Sequence, residues 1–408
     1  MERYGRMVGV FENDWGMIKK QNYSIIIIGI NCHYGHLCRF VKFLRQTNPE
    51  VVITFFGDYD KTVQSPDIQE NVDRIIYRHV FSLKYFRFLK YFFNIVILRK
   101  QFRILSKTER FDIINIHYPR PQMMFVRNYL RRMGKRIILT PWGSDVLRAT
   151  KHDLFELKYI YRRADLVTVG AGSDIGRIAQ NRFGIDKNRF EPLAWGSETI
   201  DFIQDHLEHI TKEEAKKRLN LSDSYVITCG YNAYKAQRHL AIIDAIVKVK
   251  SHLPENVVFL FPTTYATKVE KEEYVSLLKE KCKGLGLNAV FFENYLSVED
   301  IFILRRASDM FIHVQTTDAG NSTIMEYLIC GNKVIHGSWM HYKWLDYPPK
   351  FYFPVDDLED LPKVIVEAYQ AEMPSIPEEV VTRIKNRGWK QKMIAWNETF
   401  ISCVNEDS

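Results

Sequence analysis

At 408 residues the chain is too long for one ordinary core, and two domains of about 200 residues each are expected. A composition of 46% hydrophobic and 26% charged residues is that of a soluble globular protein. The strongest apolar runs, SIIIIGI and YFFNIVIL, fall far short of the ~20 residues that span a bilayer. The net charge of +8 points to an anionic partner: a phosphorylated substrate, a membrane surface or nucleic acid.

The N-terminal stretch MERYGRMVGVFENDWGMIKK carries acids and no continuous apolar core, so no signal peptide is expected. In the first half the predicted strands are 24–30, 50–56, 112–117, 136–140 and 165–169, with helices between them, such as 36–46 and 120–133. Between Arg78 and Arg110, Glu109 alone opposes Lys84, Arg87, Lys90, Arg99, Lys100, Arg103 and Lys107. Phe81, Tyr85, Phe86, Phe88, Phe92 and Phe93 are interleaved with them. Residues 78–110 therefore read as a basic, aromatic helix suited to an anionic membrane surface, or as a core helix with a solvated basic face. Nucleic acid is a poor fit, because these bases cluster on one helix rather than along a groove.

In the second half the predicted strands are 225–230, 256–261, 289–293, 309–314 and 333–337, with helices near 236–251, 269–284, 297–307 and 321–330. Strands alternating with helices argue for parallel sheets. The polar stretch ETIDFIQDHLEHITKEEAKKRLNLSD holds no strand and places a boundary near 200–222. The expected division is 1–205, 206–385 and a C-terminal helix, 386–408, crossing back to the first domain. The fold class is α/β: two Rossmann-like parallel-sheet domains facing across a cleft, with ligands at the carboxyl ends of the strands.

The loops after those strands carry the candidate chemistry. NCHYGHLC places His33, Gly35 and His36 after the first strand. Cys32, His33, His36 and Cys38 match no zinc spacing, so no metal is expected. The other cysteines (Cys229, Cys282, Cys330, Cys403) are scattered, without a CxxC pair. Buried, reduced thiols and a cytoplasmic location fit that pattern. His117 ends the strand at 112–117, and PWGSDVLR brings Trp142 and Asp145 to the same edge; His117 and Asp145, with Asp318 in the second half, are the catalytic candidates. Asp145 reads either as a helix cap or, with Trp142, as a substrate contact. GDYDK at 57–61 contains Asp-x-Asp and is read as a turn.

CGYNAYKAQRHL puts Lys235 and Arg238 at a helix start, where bases oppose the helix dipole unless an anion binds there. TTDAGNSTIMEYLIC contains two acids, Asp318 and Glu326, around Gly320, Asn321, Ser322 and Thr323. Amides at that helix start would receive a ligand, which Gly320 lets approach. Ser322 and Glu326 share a helix face, and a carboxylate inside the apolar run IMEYLIC is costly without a partner.

FDIINIHY, ILTPWGSDVLRA, ADLVTVGAGSDIGRIAQNRFG, LAWGSETIDF and DMFIHVQTTDAGNSTIMEYLICGNKVI, in this order, resemble the GT-B fold glycosyltransferases. The likeness is to family 4 and to the transferases that use dideoxy-acetamido sugars, and it covers residues 24 to 370. It implies a nucleotide-diphosphate sugar as co-substrate, no cofactor, and a saccharide or polyprenyl-linked acceptor held mostly by the first domain. Glu326 would then hold the ribose and Asp318 the donor sugar, with Lys235 and Arg238 on the diphosphate. The turn containing Asn294 and Tyr295 would border the base. The sequence departs from that pattern in having aspartate at 318 and Tyr231 after Gly230. The expected function is a metal-independent transferase in surface polysaccharide biosynthesis, at the inner face of the cell membrane. The rival readings are a nucleotide-sugar 2-epimerase of the same fold and an inert sugar-nucleotide-binding partner of another transferase.

Overall fold

A computed structural model describes residues 21–81, 87–266, 268–316, 322–340, 342, 345 and 350–405. The chain forms two compact units. One holds residues up to Gly196 together with the segment from Trp389 onward; the other runs Ser197–Gly388.

The first unit carries a six-stranded sheet built from β1 (Ser24–Gly29), β2 (Val52–Asp58), β3 (Arg74–Arg78), β4 (Phe111–His117), β5 (Gly134–Thr140) and β6 (Leu166–Val167). All neighbours pair in parallel, in the order β3-β2-β1-β4-β5-β6. Strands of such a sheet are covered on both faces and read as unbroken apolar runs. Ile25, Ile26 and Ile27 of β1 are accordingly wholly buried, on alternate faces of the sheet. One face is covered by the helix Arg87–Thr108 through Leu98, Phe102 and Leu105. The other is covered by the helices Tyr34–Thr47 and Trp389–Asn405, the latter burying Trp389, Trp396 and Phe400.

The second unit repeats the plan with β7 (Tyr225–Cys229), β8 (Val257–Pro262), β9 (Ala289–Phe292), β10 (Met310–His313), β11 (Lys333–Gly337) and β12 (Phe353–Val355). The order is β12-β11-β10-β7-β8-β9, again parallel. The helix Glu198–His206 lies in this unit and packs on the helices Val298–Ala307 and Thr323–Ile329. The division thus falls at Ser197, earlier than the polar content of the following stretch suggests.

Each order contains one reversal. In the first sheet the chain departs in opposite directions from the adjacent pair β1 and β4; in the second, from β7 and β10. Loops leaving the carboxyl ends of such a pair diverge to opposite faces and open a crevice, the ligand position of open α/β sheets.

Candidate functional site

In the second unit the loops after β7 and β10 are cross-linked at that reversal. The Gln237 side chain donates to Oε1 of Gln315, which also accepts from the Tyr231 hydroxyl at 3.3 Å. The Gln315 carbonyl accepts from Trp339 Nε1 at 2.7 Å, adding the loop after β11. Gly230 sits at φ 65°, and a Cβ there would lie 2.7 Å from Nε2 of His239. The turn needs glycine both for its backbone and for this close approach. His239 itself is buried against Phe261 and Tyr274, and burial pushes its imidazole down to about 4.

Lys235 and Arg238 follow in the same loop. Lys235 is exposed, in a short 3-10 turn. Arg238 stands at φ 59°, ψ 35°, a left-handed conformation costly for a side chain of its size. Its guanidinium lies 5.0 Å from the centre of the Trp339 ring. Among the described residues neither cation forms an ion pair. Two unneutralised cations on a fixed loop beside a helix start suit a diphosphate.

After β10, Asp318, Gly320 and Asn321 lie outside the described residues. The helix begins at Thr323, two residues later than its sequence pattern suggests, and ends at Ile329. Ser322 caps no amide; its hydroxyl donates to Oε1 of Glu326 at 2.6 Å. Ser197 approaches the same oxygen at 3.4 Å, and Arg305 Nε lies 3.4 Å from Oε2. The buried carboxylate that the sequence showed as a cost is therefore partnered. Sequence reasoning missed Arg305, one of two adjacent arginines on the helix Val298–Ala307; its inward direction is visible only in the packing. Asn294 and Tyr295 are exposed beyond β9, the edge strand. Two strand spacings separate β9 from β7, about 10 Å, a span a nucleoside can cover.

In the first unit the loops after β1, β4 and β5 meet in an aromatic cluster. The ring of His36 lies 5.7 Å from that of His33, 5.3 Å from that of Trp142 and 5.6 Å from that of Trp195. Gly35 belongs to the first turn of the helix Tyr34–Thr47, and His33 and His36 are exposed. His117, a catalytic candidate on sequence grounds, is placed otherwise. It is 1% exposed, with Phe40 at 4.5 Å and Trp195 at 5.6 Å between ring centres. Burial pushes its imidazole down to about 3, so it stands as a neutral wall of the cluster.

Asp145 does not cap its helix: the cap of Ser144–Leu147 is Gly143, and Asp145 braces the turn before it. Its Oδ1 accepts from the amides of Trp142 at 3.0 Å and Gly143 at 2.8 Å, holding a turn in which Gly143 has φ 110°. Its Oδ2 is buried without a hydrogen-bond partner. Burial raises this carboxyl to about 6, against the pull of those amides. A half-satisfied carboxyl that changes charge near neutral pH can accept or deliver a proton. Among the described residues no three His, Cys, Asp or Glu side chains are grouped to hold a metal ion. Cys32 and Cys38 are buried. Likewise no described helix is long and apolar enough to cross a membrane.

Two parallel sheets of this order, one per unit, define the GT-B fold. Residues 25–170 match the family described as Glycosyl transferase 4-like. The whole chain resembles a glycosyltransferase from Rickettsia africae at 15% identity and a TM-score of 0.68, over 94% of this chain and 99% of that one. It also resembles Anabaena HepE in complex with UDP, at 14% identity and a TM-score of 0.62, over 93% of this chain and 100% of that one. A third likeness is sucrose-phosphate synthase of Thermosynechococcus elongatus, with 14% identity, a TM-score of 0.62, and 93% and 98% covered. No curated protein sequence matches the chain significantly.

Proposed function

We propose that the chain is a glycosyltransferase that takes a sugar from a nucleoside-diphosphate donor and passes it to a saccharide or lipid-linked saccharide. The observation that carries this reading is the pair of unneutralised cations, Lys235 and Arg238, on the cross-linked loop at the reversal of the second sheet. The Anabaena structure that shares this fold is a complex with UDP, which supports a nucleotide donor here. In this reading the two cations stabilise the diphosphate as it leaves, so no metal is required. Glu326 holds the ribose hydroxyls, Asp318 faces the donor sugar, and Asn294 and Tyr295 border the base. His33, His36 and Trp142 line the acceptor side, and Asp145 is its proton acceptor.

A hexose or a dideoxy-acetamido sugar is the donor group in this proposal, and a surface polysaccharide the product. The helix Arg87–Thr108 supports a place on the inner face of the membrane. It exposes Leu89, Tyr91, Phe92, Phe93 and Val96 beside Lys90, Arg99 and Lys100, the mixture that binds anionic lipid surfaces. Product analysis tests the proposal. Incubation with UDP-, GDP- and dTDP-sugars and a lipid-linked acceptor should release nucleoside diphosphate only when acceptor is present, with the sugar found on that acceptor. Free sugar nucleotide epimerised at C2, with no transfer, would favour the epimerase instead.

A further inference from the structure

The reversal between β1 and β4 carries a basic pocket whose arginines, Arg78, Arg120 and Arg148, have no role above. A cavity of about 710 Å³ is bounded by Asn31, Arg78, Lys90, Asn94 and Arg120, among others. A second, of about 220 Å³, is bounded by Arg120, Arg148 and Asp145. Arg120, Tyr91 and Gln122 belong to both, so the two form one recess that ends at the carboxyl of Asp145.

Its charges are unevenly matched. Arg78 is paired with Asp58 at 2.9 Å. Among the described residues Lys90, Arg120 and Arg148 form no ion pair within salt-bridge distance; the carboxylates lining the recess are Asp145, which feels the charge of Arg120, and Asp153. Asp153 is already spent on capping its helix through Thr150. Arg120 is the centre of the imbalance. Its Nε is buried with no hydrogen-bond partner, and its guanidinium lies 5.3 Å from the centre of the Tyr118 ring.

The chain holds this arginine rigidly. Pro119 and Pro121 flank it, and each fixes its own φ and restricts the residue before it. Tyr118 is kept at φ 52°, its amide donating to the Thr140 carbonyl at 3.0 Å. Asn31, across the reversal, stands at φ 51° with its amide on Asp58. Asparagine adopts the left-handed region readily, but a bulky residue such as Tyr118 there is costly, and such positions gather at ligand sites. A guanidinium on a constrained backbone, with an unused buried N–H and two further unpaired cations nearby, fits a planar-forked contact to phosphate oxygens.

We propose that this recess binds a phosphate or diphosphate group of the acceptor. The proposal rests on the transferase reading for the word acceptor; the anion site itself does not. The phosphate could belong to a lipid headgroup or to a soluble molecule, and the two sources are separable.

Binding of the full chain to inorganic pyrophosphate is measured by calorimetry. Binding to phosphatidylcholine vesicles with and without phosphatidic acid is measured by co-sedimentation. Arg120→Gln should weaken at least one of these by about tenfold, and Arg120→Lys should recover part of it. Loss with pyrophosphate alone assigns a soluble phosphate, and loss with vesicles alone a lipid. UDP binding in the same variant should be unchanged, and an unchanged circular dichroism melting curve reports an intact fold. If UDP binds neither wild type nor variant, the donor reading fails while the anion result stands. If neither pyrophosphate nor vesicle binding changes in Arg120→Gln, whatever Arg238→Gly shows, the proposed site is wrong.

Discussion

Nε of Arg305 lies 3.4 Å from Oε2 of Glu326, with both side chains buried. The same guanidinium donates to the Tyr327 hydroxyl at 2.8 Å and sits 4.4 Å from the centre of that ring. Burial disfavours the charge on Arg305, but Tyr327 and Glu326 more than offset this and raise its affinity for its proton. A buried pair of this kind adds little over two apolar residues, but losing one partner strands the other.

Arg305→Met should therefore destabilise the protein by about 3–5 kcal/mol, read as a lower urea midpoint. Adding Glu326→Gln should restore much of that loss, because the orphaned charge is gone. Equal stability of wild type and Arg305→Met would show that the pair is not buried in solution.

Arg238 separates stability from binding. Its left-handed backbone costs about 1–2 kcal/mol for a residue with a side chain, and glycine lacks that cost. Its contact with Trp339 returns about 0.5–1 kcal/mol. Arg238→Gly is thus expected to melt at or slightly above the wild-type temperature while losing nucleoside-diphosphate binding by tenfold or so. A variant that melts well below the wild type would show that the arginine is structural.

The carboxyl of Asp145, held up to about 6 by burial, has a definite sign of linkage. In the unfolded chain it titrates near 3.8, so the fold favours its protonated form. That contribution is complete below the unfolded value and is lost as pH rises through about 6. Above it, the ionised carboxyl carries a penalty of about 3 kcal/mol. Asp145→Asn keeps an oxygen for the Trp142 and Gly143 amides. It should match the wild type near pH 4 and exceed it at about pH 7.5. A difference between the two proteins that does not vary with pH would refute the burial account.

His117 has the opposite linkage. Its folded value of about 3 lies below the unfolded 6.5, so its contribution is present above the unfolded value and is lost as pH falls toward the folded one. His117→Phe should fit the aromatic cluster and unfold less steeply in acid. Transferase turnover, measured at neutral pH, should stay within a few-fold of wild type. A collapse of turnover with an intact fold would return His117 to the catalytic group.

The buried strands were legible because parallel strands covered on both faces are continuous apolar runs: SIIII, VVFLF and DMFIH announce themselves. β3 and β12 were not. RIIYR is half-buried at a sheet edge with arginine at both ends, and FPV is three residues long and contains proline. DLVTV looked like a full strand, but only Leu166–Val167 pair with β5. Among the candidates, Lys235, Arg238 and Glu326 stand out in the sequence because each breaks a local expectation, a base at a helix start or an acid in an apolar run. Arg305 and Arg120 break none. The first is known by what it pairs with and the second by what it lacks, and both facts arise only on folding. His117 misled because its place at a strand end was readable and its enclosure by Phe40 and Trp195 was not.

The most direct test of the donor site is the stability of the full chain in the presence of UDP, GDP and dTDP. One of them, at 100 times its dissociation constant, should add about 2.7 kcal/mol, and the same concentration should add only about 1.4 kcal/mol in Arg238→Gly. No gain with any of the three would contradict a nucleoside-diphosphate site at the β7/β10 edge.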